Sequence, residues 1–162
     1  MPTVLLMRHG KSDWSAGRPD HERPLNQRGS RSAALMGAVL RQLDEVPDHV
    51  VTSSAERARA TAELAMAGGG FHDVPLQVSR ALYLPSVSDV IDAIAGLPGG
   101  SERALVVGHQ PTWGNAVEAL SGARVDFVTA AVAAIEVHSF QDPRGGVLRW
   151  FLPPRDAERL RP

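Results

Sequence analysis

The chain has 162 residues, a formal net charge of −1, 43% hydrophobic residues and no cysteine. This size and composition predict a folded domain, and the near-neutral charge gives no electrostatic reason to expect nucleic acid or a membrane surface as a partner. The lack of cysteine excludes disulfides, thiolate metal sites and a cysteine nucleophile. No apolar run approaches the about 20 residues that span a bilayer, and the N-terminus resembles no targeting signal. We therefore expect a cytoplasmic protein.

The first predicted strand ends in three residues that suggest a ligand site. An apolar run over residues 4–7 is followed directly by Arg8, His9 and Gly10. The loop after such a strand is where open α/β sheets bind ligands. Arginine offers a fork of donors suited to phosphate, histidine can act as nucleophile or proton carrier, and glycine permits a tight turn. Taken alone, this segment has an alternative interpretation: a strand end that carries two polar residues without binding a ligand.

A long polar connection with glycine and proline breakers follows over residues 11–25. It is expected to lie beside the end of the first strand. The side chains that could reach a ligand from it are Asp13, Ser15, Asp20, His21 and Arg23. Taken singly, each of these residues has an alternative to ligand binding, which is simply to lie in a solvated loop.

The rest of the chain alternates predicted helices and strands. Helices are predicted over 26–44, 54–70, 86–97 and 111–120, and strands over 49–53, 76–78, 103–107, 131–138 and 147–152. The turn at 142–146 joins the last two strands in a hairpin at the sheet edge. This order predicts a three-layer α/β/α domain over residues 1–152 with a mostly parallel central sheet, followed by a loosely held tail over 153–162.

Two more strand exits carry polar side chains, at residues 53–57 and 108–109. Because parallel strands end at one edge of a sheet, His109 and an arginine of the second helix are expected to meet Arg8 and His9. Two arginines and two histidines around one point suit a phosphoryl group. Arg57 and Arg59 are the candidates for the second arginine, and for Arg59 surface pairing with Glu56 or Glu63 is preferred. The histidines at 49, 72 and 138 lack a partner motif and are expected to be surface or satisfied residues.

Four segments together resemble the histidine phosphatase superfamily, the phosphoglycerate mutase-like proteins. They are LLMRHGKS (5–12), RPLNQRG (23–29), SSAERARATA (53–62) and VVGHQP (106–111). Each is weak alone, but their order and spacing match from residue 3 to about 150. Asn26 stands where the family usually has threonine or serine. The short length makes the chain most similar to the compact SixA-type phosphohistidine phosphatases.

The resemblance implies that His9 is the nucleophile and that Arg8, Arg57 and His109 form the phosphate pocket. Ser15 and Arg23 are further candidates for substrate binding. A neutral ring nitrogen of His9 would attack phosphorus, and water would later cleave the phosphohistidine intermediate. This chemistry requires no metal or other cofactor.

The chain departs from the larger family members at the general acid. Those members carry a glutamate before the third helix, whereas residues 80–86 contain no carboxylate and the nearest acid, Asp89, falls inside the predicted helix. A proton donor is worth roughly 10²–10⁴-fold when a poor leaving group departs, but phosphohistidine expels an imidazole that is easily protonated beforehand. The departure favours substrates with a phosphorus–nitrogen bond or another activated leaving group. Asp13, Asp20 and His21 are candidates for an alternative proton donor.

The sequence therefore predicts a metal-independent phosphatase that acts on phosphohistidine in a protein. A small-molecule phosphomonoesterase and a non-catalytic module that binds phosphate or a phosphoprotein are the alternatives. A mutase is disfavoured because the chain is short for a closing lid. Trp14, Tyr83 and Trp113 are expected either to flank the mouth of the pocket or to lie in the core.

Overall fold

The computed structural model describes residues 1–161, and in them six strands form one central sheet. The strands are β1 (Thr3–Arg8), β2 (His49–Ser53), β3 (Leu76–Ser79), β4 (Arg103–Gly108), β5 (Val132–Glu136) and β6 (Val147–Leu152). They lie in the order β3-β2-β4-β1-β5-β6, and the first four are parallel. β5 is antiparallel to both of its neighbours. The prediction of a mostly parallel α/β sheet that ends in a hairpin is confirmed.

Helices cover both faces of the sheet. They are α1 (Gln27–Gln42), α2 (Glu56–Gly69), α3 (Val87–Ala95), α4 (Thr112–Ser121) and α5 (Pro154–Leu160), with short 3-10 helices at Trp14–Ala16, Asp20–Glu22 and Arg80–Leu82. α1, α2 and α5 contribute to the apolar core on one face, and α3 and α4 to the core on the other. The result is the three-layer arrangement predicted from the element order.

β1 is buried on both faces, which explains its unbroken apolar run. Val4 and Leu6 join the core beneath α3 and α4, whereas Leu5 and Met7 join the core beneath α1 and α2. Successive side chains of a strand point to opposite faces, so both registers must be apolar. The apolar run stops at Arg8, at the carboxyl end of β1.

Local capping fixes where the helices begin and end. The Asn26 side chain accepts a hydrogen bond from the Gly29 amide at the start of α1, as predicted. Ser86 and Asp89 form a reciprocal capping box at the start of α3. Gly70 closes α2 in the left-handed conformation, at φ 68°.

The C-terminal segment is more ordered than the predicted loosely held tail. Residues 154–160 form α5, with Pro154 in its first turn, and Ala157 is buried against the core beneath α1 and α2. Proline at this position is pre-set for a helix, and a single small apolar side chain then fits against the core. Pro162, the last residue of the predicted tail, lies outside the described residues. No helix in the described part of the chain has both the length and the apolar character to cross a membrane.

Candidate active site

The carboxyl ends of β1, β2 and β4 bring the predicted phosphate-binding residues together. His9 follows β1 and His109 follows β4, and their ring centroids are 5.2 Å apart. Arg57 comes from the first turn of α2, directly after β2. His9 and His109 are each only 8% exposed and Arg57 only 5%. With Arg8, these side chains line one cavity of about 410 Å³.

His9 is held in a defined tautomer. Its Nδ1 lies 2.7 Å from the carbonyl oxygen of Gly10. A carbonyl can only accept a hydrogen bond, so Nδ1 carries the proton and Nε2 keeps a free lone pair. Burial lowers the pKa of His9 to about 3, an effect opposed by the Gly10 hydrogen bond and reinforced by His109, Arg57 and Arg8. The ring is therefore neutral at ordinary pH, which is the form that can attack phosphorus.

Thr61 ties the loop after β1 to α2. The Gly10 amide donates to Thr61 Oγ1 at 3.0 Å, and the same hydroxyl donates to the Arg57 carbonyl oxygen at 2.7 Å. This buried hydroxyl couples the position of the His9 loop to the turn that carries Arg57. Sequence reasoning gave Thr61 no role, although a polar residue one helical turn after Arg57 on a buried face was the available signal.

Two glycines let the same loop approach the start of α1. A Cβ added to Gly10 would lie 2.7 Å from the Gly29 carbonyl oxygen, and one added to Gly29 would overlap the backbone of Lys11. Any larger residue at either position would push the loop away from the helix. The close contact therefore helps to set the position of His9.

His109 is paired with a serine at the end of β2. Its Nε2 lies 2.8 Å from Ser53 Oγ, and both side chains are buried. Burial, followed by the charge of Arg57, lowers the pKa of His109 to about 4, with Asp20 opposing the shift. His109 is thus neutral in the free protein, and a bound phosphate dianion would favour its protonated, donating form.

Arg8 and Arg57 are each held by hydrogen bonds within the protein, and each has a side-chain N–H donor that no acceptor in the described part of the chain occupies. Arg8 donates from one terminal nitrogen to the Phe127 carbonyl oxygen at 3.0 Å. Arg57 donates to the Asp20 carbonyl oxygen at 2.6 Å and to its Oδ2 at 3.2 Å. The Nε atoms of Arg8 and Arg57 are buried and have no acceptor among residues 1–161. The Phe127 carbonyl was missed from the sequence because a backbone acceptor leaves no side-chain signature.

Asp20 is the carboxylate of this cavity. It accepts hydrogen bonds from Tyr83 Oη at 2.6 Å and from Arg23 at 2.7 Å, in addition to Arg57. The Tyr83 hydrogen bond is the largest cause that lowers the pKa of Asp20 to about 2, and the two arginines add to it. Asp20 is ionised and bonded on both oxygens, so in this arrangement it is an anchor for the arginines and has no proton to give.

The other predicted loop residues lie in different surroundings. Arg23 is buried and lines the cavity. Ser15 is exposed and Asp13 half-buried; Ser15 Oγ donates to Asp13 at 2.6 Å, and neither residue lines the cavity. His21 is half-buried, with Nε2 2.9 Å from Ser54 Oγ.

The predicted aromatic residues divide between the cavity mouth and the core. Trp14 lines the cavity, is 78% exposed and lies under the Arg23 guanidinium, whose carbon is 3.6 Å from its ring centroid. The Tyr83 ring lies 6.0 Å from the His109 ring. Trp113 is fully buried in the core.

The remaining candidates lie outside the cavity lining. Arg59 is exposed, and one of its terminal nitrogens lies 3.9 Å from Glu63 Oε1. The predicted surface pairing of Arg59 is therefore confirmed. His72 and His138 are exposed, and His49 is half-buried, 3.4 Å from Asp48. Asp89 is engaged in capping α3. Among residues 1–161, no three His, Asp or Glu side chains are close enough together to hold a metal ion.

Comparisons with known proteins identify the family of this chain. Residues 4–83 match the family described as the histidine phosphatase superfamily (branch 1). An uncharacterised protein of Mycobacterium tuberculosis is 38% identical over 143 residues, which cover 88% of this chain and 86% of the relative.

Two solved structures are similar over nearly the whole chain. One, the protein histidine phosphatase SixA complexed with tungstate, has 26% identity and a TM-score of 0.82, covering 94% of this chain and 97% of that one. The other, from Nakamurella multipartitia and provisionally described as phosphohistidine phosphatase SixA, has 28% identity and the same TM-score, covering 94% and 96%.

Proposed function

The chain belongs to the histidine phosphatase superfamily and is a phosphatase, and from this premise we propose that it removes phosphate from phosphohistidine on a protein without a metal ion. The observation that carries the proposal is the state of His9. Its Nε2 has a free lone pair, and the ring lines the same cavity as the half-buried Arg8, the buried Arg57 and a second histidine, His109. In this proposal His9 is the nucleophile, and Arg8, Arg57 and His109 bind the phosphoryl group.

The reaction proceeds in two displacements at phosphorus. His9 Nε2 attacks, the Nε2–P bond forms, and the P–N bond to the substrate breaks. A substrate imidazole protonated on its second nitrogen leaves as neutral imidazole. Water then attacks phospho-His9, the Nε2–P bond breaks, and its electron pair returns to His9. The product phosphate keeps the oxygen and protons of the water. Arg8 and Arg57 stabilise the charge on the oxygens in both steps.

The lack of a protonated carboxylic acid among the described residues that line the cavity favours phosphohistidine over ordinary esters. Asp20 lines the cavity but is ionised and bonded to Arg23, Arg57 and Tyr83. An alkoxide leaving group would therefore depart without a carboxylic acid to protonate it, at a cost of roughly 10²–10⁴-fold in rate. The imidazole of phosphohistidine brings its own proton and avoids this cost.

The rim of the cavity supports a protein substrate. Trp14 and Leu84 both line the cavity, and they are 78% and 79% exposed. Large apolar side chains held in solvent around a polar pocket are typical of surfaces that contact another protein. The name of the tungstate-bound relative, protein histidine phosphatase, is consistent with such a substrate.

The test is phosphate release by wild type and His9→Ala from two substrates, in the presence of a chelator. One is a protein phosphorylated on histidine with phosphoramidate, and the other is a simple alkyl phosphate. We expect wild type to prefer the phosphohistidine protein and His9→Ala to lose at least about 10³-fold in rate, because the nucleophile is gone. His138→Ala, which changes an exposed histidine outside the cavity, is the matched control.

Three results would contradict parts of the proposal. Comparable turnover of the alkyl phosphate would identify a phosphomonoesterase. Loss of activity with the chelator would exclude the metal-independent mechanism. Phosphate release that persists in His9→Ala would assign the nucleophile to another residue.

A further inference from the structure

A second and larger concave surface lies next to the active-site cavity. It has a volume of about 1270 Å³ and runs between α1, α5 and the loop at residues 126–129. We call it the basic groove. Its cationic side chains are Lys11, Arg28, Arg31, Arg155, Arg159 and Arg161.

Positive charge is concentrated in this groove. Six cations line it against three carboxylates, those of Asp126, Asp156 and Glu158, while the whole chain has a net charge of −1. All six cationic side chains are exposed. Within residues 1–161, no carboxylate lies within 4.0 Å of the charged nitrogens of Lys11, Arg28, Arg31, Arg155 or Arg159. A concave surface of one predominant sign attracts a partner of the opposite sign.

The basic groove adjoins the active-site cavity and shares part of its lining. Lys11 and Thr129 line both. Lys11 follows Gly10 in the loop that positions His9, so an extended segment lying in the groove would pass beside the proposed nucleophile. This shared lining distinguishes the groove from a basic patch elsewhere on the surface.

We propose that the basic groove binds an acidic segment of the protein whose phosphohistidine enters the cavity. The inference rests on the proposed function and adds the chemistry of the partner. The phosphoryl group is bound by Arg8 and Arg57, and carboxylates near it in the partner lie against Arg31 and Arg155. A small phosphorylated molecule would fill the cavity and leave the groove unused.

The test compares peptides that differ in charge around one phosphohistidine. One peptide carries glutamates around the phosphohistidine and the other carries serines. The enzymes are wild type, the groove variant Arg31→Glu/Arg155→Glu, and the control Arg124→Glu/Arg144→Glu. The control makes the same change in net charge at exposed positions that do not line the groove. Glutamate is well accommodated in the first turn of α5, where Arg155 lies.

We expect wild type and control to cleave the acidic peptide with kcat/KM about tenfold above that of the serine peptide. The groove variant should lose this preference and keep the wild-type rate on the serine peptide. Equal kcat/KM for the two peptides in wild type would overturn the inference.

A binding measurement separates this inference from the proposed function. Fluorescence anisotropy of the unphosphorylated acidic peptide should show binding to wild type and at least about fivefold weaker binding to the groove variant. If that holds while neither phosphohistidine peptide is cleaved, the proposed function fails and the groove assignment stands. Failure of the acidic peptide to bind wild type, or tighter binding of a single-stranded nucleic acid of equal charge, would overturn the groove assignment.

Discussion

The charge state of one residue, His9, depends on contacts from distant parts of the chain. Its tautomer is set by the Gly10 carbonyl, and its low pKa comes chiefly from burial, helped by Arg57 and Arg8. The pKa of Asp20 is lowered as well, and this keeps the carboxyl group charged, because Tyr83 and the arginines bond its ionised form. The cavity therefore holds a neutral histidine and an ionised carboxylate, each in the form that can accept a proton.

Asp20 competes with phosphate for Arg57, and Asp20→Asn tests this. The carboxylate takes hydrogen bonds that a phosphate could use and repels the dianion, whereas asparagine keeps the shape without the charge. We expect inorganic phosphate to bind Asp20→Asn about fivefold more tightly, which corresponds to about 1 kcal/mol. Titration calorimetry with phosphate measures the change.

Asp13→Asn is the matched control for this experiment, since Asp13 is a half-buried acid on the same loop that does not line the cavity. Its phosphate affinity should stay within about twofold of wild type. Weaker phosphate binding by Asp20→Asn would instead mean that the carboxylate is needed to hold Arg57 in place, and that this orientation outweighs the repulsion.

At the scale of the elements, α1 and α2 pack so closely that the backbone of each helix contacts a glycine of the other. A Cβ added to Gly37 of α1 would overlap the carbonyl oxygen of Ala65 in α2, and one added to Gly68 would overlap that of Ala34. Because α2 carries Arg57 in its first turn, this close packing also sets the position of the arginine proposed to bind phosphate.

Gly37→Ala should destabilise the protein even though alanine is the better helix former. We expect the free energy of unfolding in urea to fall by about 1–3 kcal/mol, the usual cost of overpacking a tight interior. The control is Gly96→Ala at the end of α3, where the nearest atom to an added Cβ is 3.4 Å away and φ is −80°. That variant should keep wild-type stability or gain a few tenths of a kcal/mol. Equal stability of the two variants would show that the helices separate at low cost.

The elements that could be predicted from sequence are those with a local signature. The apolar run of β1 and the Asn26 cap depend on neighbouring residues, and the strand exits converge because the sheet is parallel. α5 could not be predicted in this way, because only Ala157 of its seven residues is buried and the segment has no amphipathic pattern. The bond between Asp20 and Tyr83 joins residues 63 positions apart and has no local signal.

At the scale of the whole molecule, the candidate site makes stability depend on pH. His9 and His109 have folded pKa values of about 3 and about 4, below the usual histidine value of 6.5. Between those values and 6.5, the unfolded chain binds more protons than the folded one, so the free energy of unfolding falls as the pH falls. Asp20, with its folded pKa of about 2, adds a loss in the same direction below its ordinary value of 3.8.

We therefore expect wild type to lose stability steadily from about pH 6.5 towards pH 4, at up to about 1.4 kcal/mol per pH unit for each histidine. His9→Asn removes one of these groups and should reduce the slope by about 1 kcal/mol per pH unit near pH 5. Urea unfolding curves in buffers free of phosphate measure the slope, because bound phosphate would stabilise the folded state. Leu84→Ala, at the rim of the same cavity and without a titrating group, should keep the wild-type slope. If His9→Asn kept it too, His9 would titrate alike in the folded and unfolded chain, and the low pKa on which its proposed role as a neutral nucleophile depends would be wrong.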